Sequence, residues 1–220
     1  IAENAAGTLT LTATLSVATF ENVTVALDPT GTATEGTDYG TISNITVSAG
    51  DTSGTATFDP TDDSKYESAT AETSIVAITS VSGGNATESG TQTATISITE
   101  NESAPTVTLA TSGSTLDENS NSTLTLTATL SGTTYEDVTV ALTPTGTATE
   151  GTDYETIADI VISEDATTGT TTFETKDDCI TEGSTDETAT VAITGVSGGG
   201  ASESGTQSVA LAIDDDEGAP

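Results

Sequence analysis

A chain of 220 residues with 35 acids, two lysines, no histidine and a formal charge of −33 has no positive surface for nucleic acid or an anionic membrane, so cations are its natural partners. Without His and nearly without Lys it lacks most side chains that move protons near neutral pH, and no enzymatic activity is expected. Abundant Thr with only 3% aromatic residues suits half-exposed strands and disfavours helices.

The first element met along the chain is incomplete. Ile1-Ala2-Glu3-Asn4 aligns with Leu116-Asp117-Glu118-Asn119, and Gly31-Thr32-Ala33-Thr34-Glu35-Gly36-Thr37-Asp38-Tyr39 returns unchanged from Gly146 to Tyr154, a spacing of 115 residues. No gap is needed to extend the match, because Thr8–Ser16 falls on Thr123–Ser131 and Glu88–Gln92 on Glu203–Gln207. The period is far longer than that of a solenoid, so each copy is expected to fold by itself, as domains 1–105 and 106–220.

In the second copy, period-two alternation of apolar residues with Thr predicts strands at Thr106–Leu109, Thr123–Leu130, Val138–Leu142, Ile160–Ile162, Thr171–Phe173, Thr188–Ile193 and Val209–Ile213. Clusters such as Ser197-Gly198-Gly199-Gly200 separate them. Seven strands without a helical period predict an all-β fold, two tandem immunoglobulin-like β-sandwiches. Phe58, Phe173, Tyr39 and Tyr154 are the expected large core fillers, and Gly31, Gly36, Gly146 and Gly151 the expected turn positions.

The first copy has no equivalent of Thr106–Thr115, so it lacks its first strand, and Pro105 matches Pro220. An edge left without its neighbour either accepts a strand from another chain or stays frayed, the frayed or truncated state being the default. The link from Glu100 to Pro105 is short and restricted by its proline. Cys179 stands alone, which forbids an intrachain disulfide and suits a buried, inert thiol. No apolar run approaches a membrane span, so no membrane insertion is expected. No signal peptide is seen and the chain begins at Ile1 without Met, as a fragment of a longer exported protein would.

Acids of the second copy gather at strand ends: Asp117-Glu118, Asp153, Asp177-Asp178 with Glu182, and Asp214-Asp215-Asp216-Glu217. Loops at one end of a sandwich would bring them together, and each like-charge pair at ~4 Å costs about 1 kcal/mol even in water. Carboxylates without His or a usable thiol describe a site for a hard ion, and several flexible ones suit calcium over magnesium or zinc. A glycosidase pair of carboxylates is disfavoured, since no Trp or Arg accompanies it.

The order of Glu118, the Gly146–Tyr154 string, Asp177-Asp178 with Glu182, and Ile213-Asp214-Asp215-Asp216 resembles the Calx-beta domain of sodium/calcium exchangers, integrin beta-4 and large bacterial surface proteins. The resemblance covers nearly all of both copies and implies a seven-stranded sandwich with calcium in the loops at one end. Its implied ligands are Glu118, Asp153, Asp177, Asp178, Glu182, Asp214, Asp215 and Asp216, with Asp186 and Glu187 as weaker candidates. In the first copy Glu3, Asp38, Asp62, Asp63, Glu67 and Glu100 remain, but the terminal triplet has become Thr99-Glu100-Asn101, so a weaker site is expected there.

The expected role is structural: calcium-binding repeats of an extracellular or cell-surface fibre or adhesin, stiffened by Ca2+ at the module ends. Neighbouring repeats of the same or identical chains are the expected partners, possible strand exchange included. The alternative is a calcium-sensing regulatory segment of a membrane transporter. A carbohydrate-binding module is disfavoured by the shortage of aromatics.

Overall fold

The computed structural model describes residues 1–67, 69–118, 123–177 and 186–215, and every element in it is a β-strand. The chain divides into two compact units, one made of Ile1–Asp63 and Ala69–Asn101, the other of Ser64–Ser68 and Glu102–Pro220.

The first unit holds β1 (Leu9–Thr14), β2 (Val23–Gly31), β3 (Ile45–Val47) and β4 (Ser53–Phe58). A short β5 (Lys65–Tyr66) follows within the stretch assigned to the second unit, and β6 (Glu72–Ser82) and β7 (Thr93–Ile98) return to the first. One sheet pairs β1 with β4, and the other runs β3-β2-β6-β7, all antiparallel. Alternation turns Val23, Val25, Val76, Ile96 and Ile98 inward, where they meet Phe58 and Tyr39 in one buried cluster. β1 pairs with β4 over its full length.

The second unit repeats this plan with its first strand present. It contains β8 (Thr106–Thr111), β9 (Thr115–Asp117), β10 (Thr123–Leu130), β11 (Thr133–Thr134), β12 (Val138–Gly146), β13 (Ile160–Ile162), β14 (Thr168–Glu174), β15 (Glu187–Ser197), β16 (Ser202–Glu203) and β17 (Ser208–Asp214). The sheets run β14-β10-β8-β16 and β13-β12-β15-β17-β9. That split, with the first strand crossing from one sheet to lie parallel to the last strand of the other, is the immunoglobulin-type arrangement. All seven predicted strands are present; β9, β11 and β16 are too short for any alternation to announce them. Within this unit β5 lies parallel to β11, and Lys65 pairs with Asp165 at 2.5 Å.

Both copies carry the same irregularities. A register shift interrupts the central pairing at Ala26/Leu27 and again at Ala141/Leu142. The expected fillers stack alike, Tyr39 on Phe58 with centroids 4.6 Å apart and Tyr154 on Phe173 at 4.8 Å.

Candidate metal centre

The repeated nine-residue string builds one wall of the site. Gly31 and Gly146 leave β2 and β12 at φ 131° and 147°, and the chain then closes a turn in which Asp38 N–H and Asp153 N–H donate to the carbonyls of Thr34 and Thr149, both at 2.9 Å. One carboxylate oxygen of each aspartate accepts from the backbone N–H of that same threonine. Asp38 and Asp153 therefore tie their own turn with one oxygen, which orients the carboxylate as a whole.

In the first unit this places Asp38 beside Glu72, the first residue of β6, with one oxygen of each within 4.8 Å. An oxygen of Glu3 approaches one of Glu100 within the same limit. Glu3 is buried and accepts from the backbone N–H of Asp63 at 3.1 Å. The pairs form a single electrostatic group: burial, then the charge of Asp38, a hydrogen bond with Asp38, and the charges of Glu3 and Glu100 together push Glu72 up to about 7. The pairing of Glu72 with Ile98 explains the convergence, because it sets the start of β6 against the end of β7, just ahead of Glu100. Asp62 and Asp63 are exposed. Glu67 is half-buried and falls in the stretch grouped with the second unit.

In the second unit Glu118 is 1% exposed and Asp153 5%, so both are core positions occupied by acids. The carbonyl of the adjacent Asp117 accepts from the Thr175 hydroxyl at 3.2 Å, and the parallel register sets Asp117 opposite Asp214. A hydrogen bond with Asp186 and its charge, followed by desolvation and the charge of Asp117, raise the Asp214 carboxyl above the usual range. Asp186 is thus brought to the site while Asp177 is exposed and Asp215 half-buried. Asp178, Glu182 and Asp216, with Cys179, lie outside the described residues. Burial and the charges of Glu150 and Asp153 likewise raise Tyr154.

Glu72 is absent from the sequence-derived ligand set. Its signal was present: at the 115-residue spacing it is the partner of Glu187, and both open the same strand.

These carboxylates have a consequence at low divalent concentration. Glu72 holds its proton up to about pH 7 when folded but only to about 4.5 when unfolded, so the native state binds the extra proton between those values. Stability of the metal-free protein therefore falls as pH rises through that window and stays low above it. Discounted for partial exposure, the effect is about 1–2 kcal/mol. Urea melts in chelator at pH 5.5 and 8 should show it, with Glu72→Gln flattening the difference; the same slope in the variant would assign it elsewhere.

Neither a family model nor a curated protein matches the chain. Among solved structures it is similar to the apo-form CBD1 domain of Calx, at 19% identity over 51% of this chain and 99% of that one, TM-score 0.42. CBD12 of CALX1.2 aligns over 96% of this chain and 94% of its own at 16% identity and TM-score 0.41. The calcium-binding domain CBD12 of CALX1.1 gives 15% over the same shares, TM-score 0.39.

Proposed function

We propose that this chain is a pair of calcium-binding structural modules of Calx-beta type, belonging to an extracellular fibre or adhesin, in which Ca2+ neutralises and stiffens the acidic end of each sandwich. The observation that carries the reading is the convergence of acids in the first unit: one oxygen of Asp38 lies within 4.8 Å of one of Glu72, one of Glu3 lies as near one of Glu100, and the charges of Asp38, Glu3 and Glu100 all raise the Glu72 carboxyl. Carboxylate oxygens paired in this way fit a hard divalent cation. Calcium's loose six- to eight-fold geometry tolerates them better than the strict octahedron of magnesium. Bound calcium would supply the positive charge that lets Glu72 and Asp38 ionise together. Glu3 and Asp38 are positioned for this by their backbone hydrogen bonds, and Glu72 and Glu100 by the strand ends that carry them.

Calorimetric titration of the full chain at pH 7.4 tests it. Saturable calcium binding is expected, with Glu72→Gln and Asp38→Asn each weakening the tighter or weaker class assigned to the first unit by about tenfold. The asparagine keeps an acceptor for the turn. Absence of bound calcium by equilibrium dialysis up to ~10 mM, beyond the range of extracellular modules, would sink the reading. The structural role has its own readout: single-molecule stretching should show a higher unfolding force in calcium than in chelator.

A further inference from the structure

We infer that the second unit carries a recognition site for an extended segment in which a basic residue precedes a tyrosine, and that Ser64-Lys65-Tyr66 is the segment it is built for. The inference is independent of the metal reading. By sequence the segment belongs to the first copy, yet it forms part of the second unit.

Three kinds of contact hold it there. Lys65-Tyr66 runs parallel to Thr133-Thr134, the Thr133 hydroxyl donates to the Ser64 carbonyl at 3.1 Å, and Tyr135 N–H donates to the Tyr66 carbonyl at 3.4 Å. Asp165 pairs with Lys65 at 2.5 Å. The tyrosine is the anchor, since it is only 7% exposed although it belongs to neither apolar core cluster. Its ring fits against Gly200, where an added Cβ would lie 2.4 Å from Tyr66 Cε1.

Comparing the two copies separates a general frame from a special grip. The frame is the same in both. The Thr19 and Thr134 hydroxyls donate to the carbonyls of Glu21 and Glu136 at 2.7 Å, and Gly84 and Gly199 N–H donate to the carboxylates of those glutamates at 3.4 Å. Gly50 and Asp165 N–H likewise donate to the carbonyls of Thr19 and Thr134.

On this shared frame the three residues that grip the segment differ. Thr133 corresponds to Ala18, Asp165 to Gly50 and Gly200 to Asn85. The first copy thus has neither the hydroxyl nor the carboxylate, and it carries a side chain at the position against which the ring would lie. Asn85 and Gly200 share a left-handed backbone, φ 52° and 60°, so a Cβ leaves the chain in the same direction at both. Asp165 holds φ 64°, a conformation that its counterpart Gly50 adopts freely and an aspartate adopts at a cost. Its ion pair with Lys65 gives a reason for a carboxylate there.

The segment is as restricted as its site. Cys179-Ile180-Thr181 corresponds to Ser64-Lys65-Tyr66, so the sequence of the second copy offers neither the cation nor the ring. Segment and site therefore occur once each, on different copies, and Asn85 acts against pairing in the wrong place. What the site recognises is the order of two repeats.

Trypsin tests this on the full chain, because Lys65 and Lys176 are its only cleavable residues. A triple variant, Thr133→Ala with Asp165→Gly and Gly200→Asn, carries residues that the first copy accommodates on the same frame and leaves the cleaved sequence unaltered. Cleavage after Lys65 is expected to be more than about tenfold faster in this variant than in the unaltered chain, with cleavage after Lys176 unchanged, because proteolysis follows the population of the released segment. Tyr66→Thr, which installs the residue of the second copy, should speed the same cut by a similar factor. Equal rates after Lys65 in all three proteins overturn the proposal. So does equal acceleration at both lysines, which would make the three residues supports of the whole unit. Protection of Lys65 retained in Tyr66→Thr would remove the ring as anchor and overturn the recognition argued from it.

Discussion

Saturating calcium should raise the melting temperature of the metal-free protein by ~10 °C or more at pH 7.4. An ion present at a hundred times its dissociation constant contributes about 2.7 kcal/mol, and each kcal/mol moves a domain of this size by ~4–8 °C. The gain is expected to be large because burial disfavours the charged form of Glu72 and the charges of Asp38, Glu3 and Glu100 add to that. The pH dependence should invert as well. Without metal, stability falls as pH rises from about 4.5 to 7, because the folded state gives up a proton it holds more tightly than the unfolded chain does. With calcium present, stability should rise across the same interval, since protons and the ion compete for the same oxygens. Scanning calorimetry in chelator, calcium and magnesium at pH 5.5 and 7.4 checks both; equal melting in all three solutions would be fatal to a calcium role.

The second large effect is expected at Gly146. A methyl group there would sit 2.0 Å from the Thr188 carbonyl oxygen and 3.1 Å from Ala189 Cα, both backbone atoms of β15, and φ is 147°. The oxygen cannot retreat, because it accepts from both Thr147 and Ala148 N–H at 2.9 and 3.0 Å. Gly146→Ala should therefore destabilise the second unit by about 3 kcal/mol, combining strain at an unfavourable dihedral with two weakened hydrogen bonds. Gly151 provides the contrast within the same string: φ is 86° but no atom lies within 4 Å of an added Cβ. Gly151→Ala should cost only the left-handed penalty, about 1 kcal/mol. Denaturant melts of the two variants decide it, and equal losses would refute the steric account. The effect reaches Asp153, a candidate ligand, because the turn that Gly146 opens is the one Asp153 closes with its own carboxylate.

Much of the fold could be read from residue order. The Thr-Leu alternation of Thr123–Leu130 gave the limits of β10, and Ile160–Ile162 those of β13. Tyr39, Phe58, Tyr154 and Phe173 were identifiable as core because a chain this poor in aromatics has few other large fillers. The site was legible only in part. Asp38 and Glu3 stand out within repeated motifs, but Glu72 looks like an ordinary strand-opening acid. Asp62 and Asp63 were equally prominent as a pair, yet both are exposed, and what Asp63 contributes to Glu3 is its backbone N–H. Asp186 was a weak candidate because it follows the expected acidic turn, yet its hydrogen bond is the first cause of the raised Asp214 carboxyl.

By itself the amino-acid order determined the duplication, the strands and the faces they bury, because alternation and spacing act between residues a few positions apart. The tertiary structure alone decided which carboxylates meet. Glu3 and Glu100 stand at opposite ends of their copy, and only strand pairing brings them within a few ångströms.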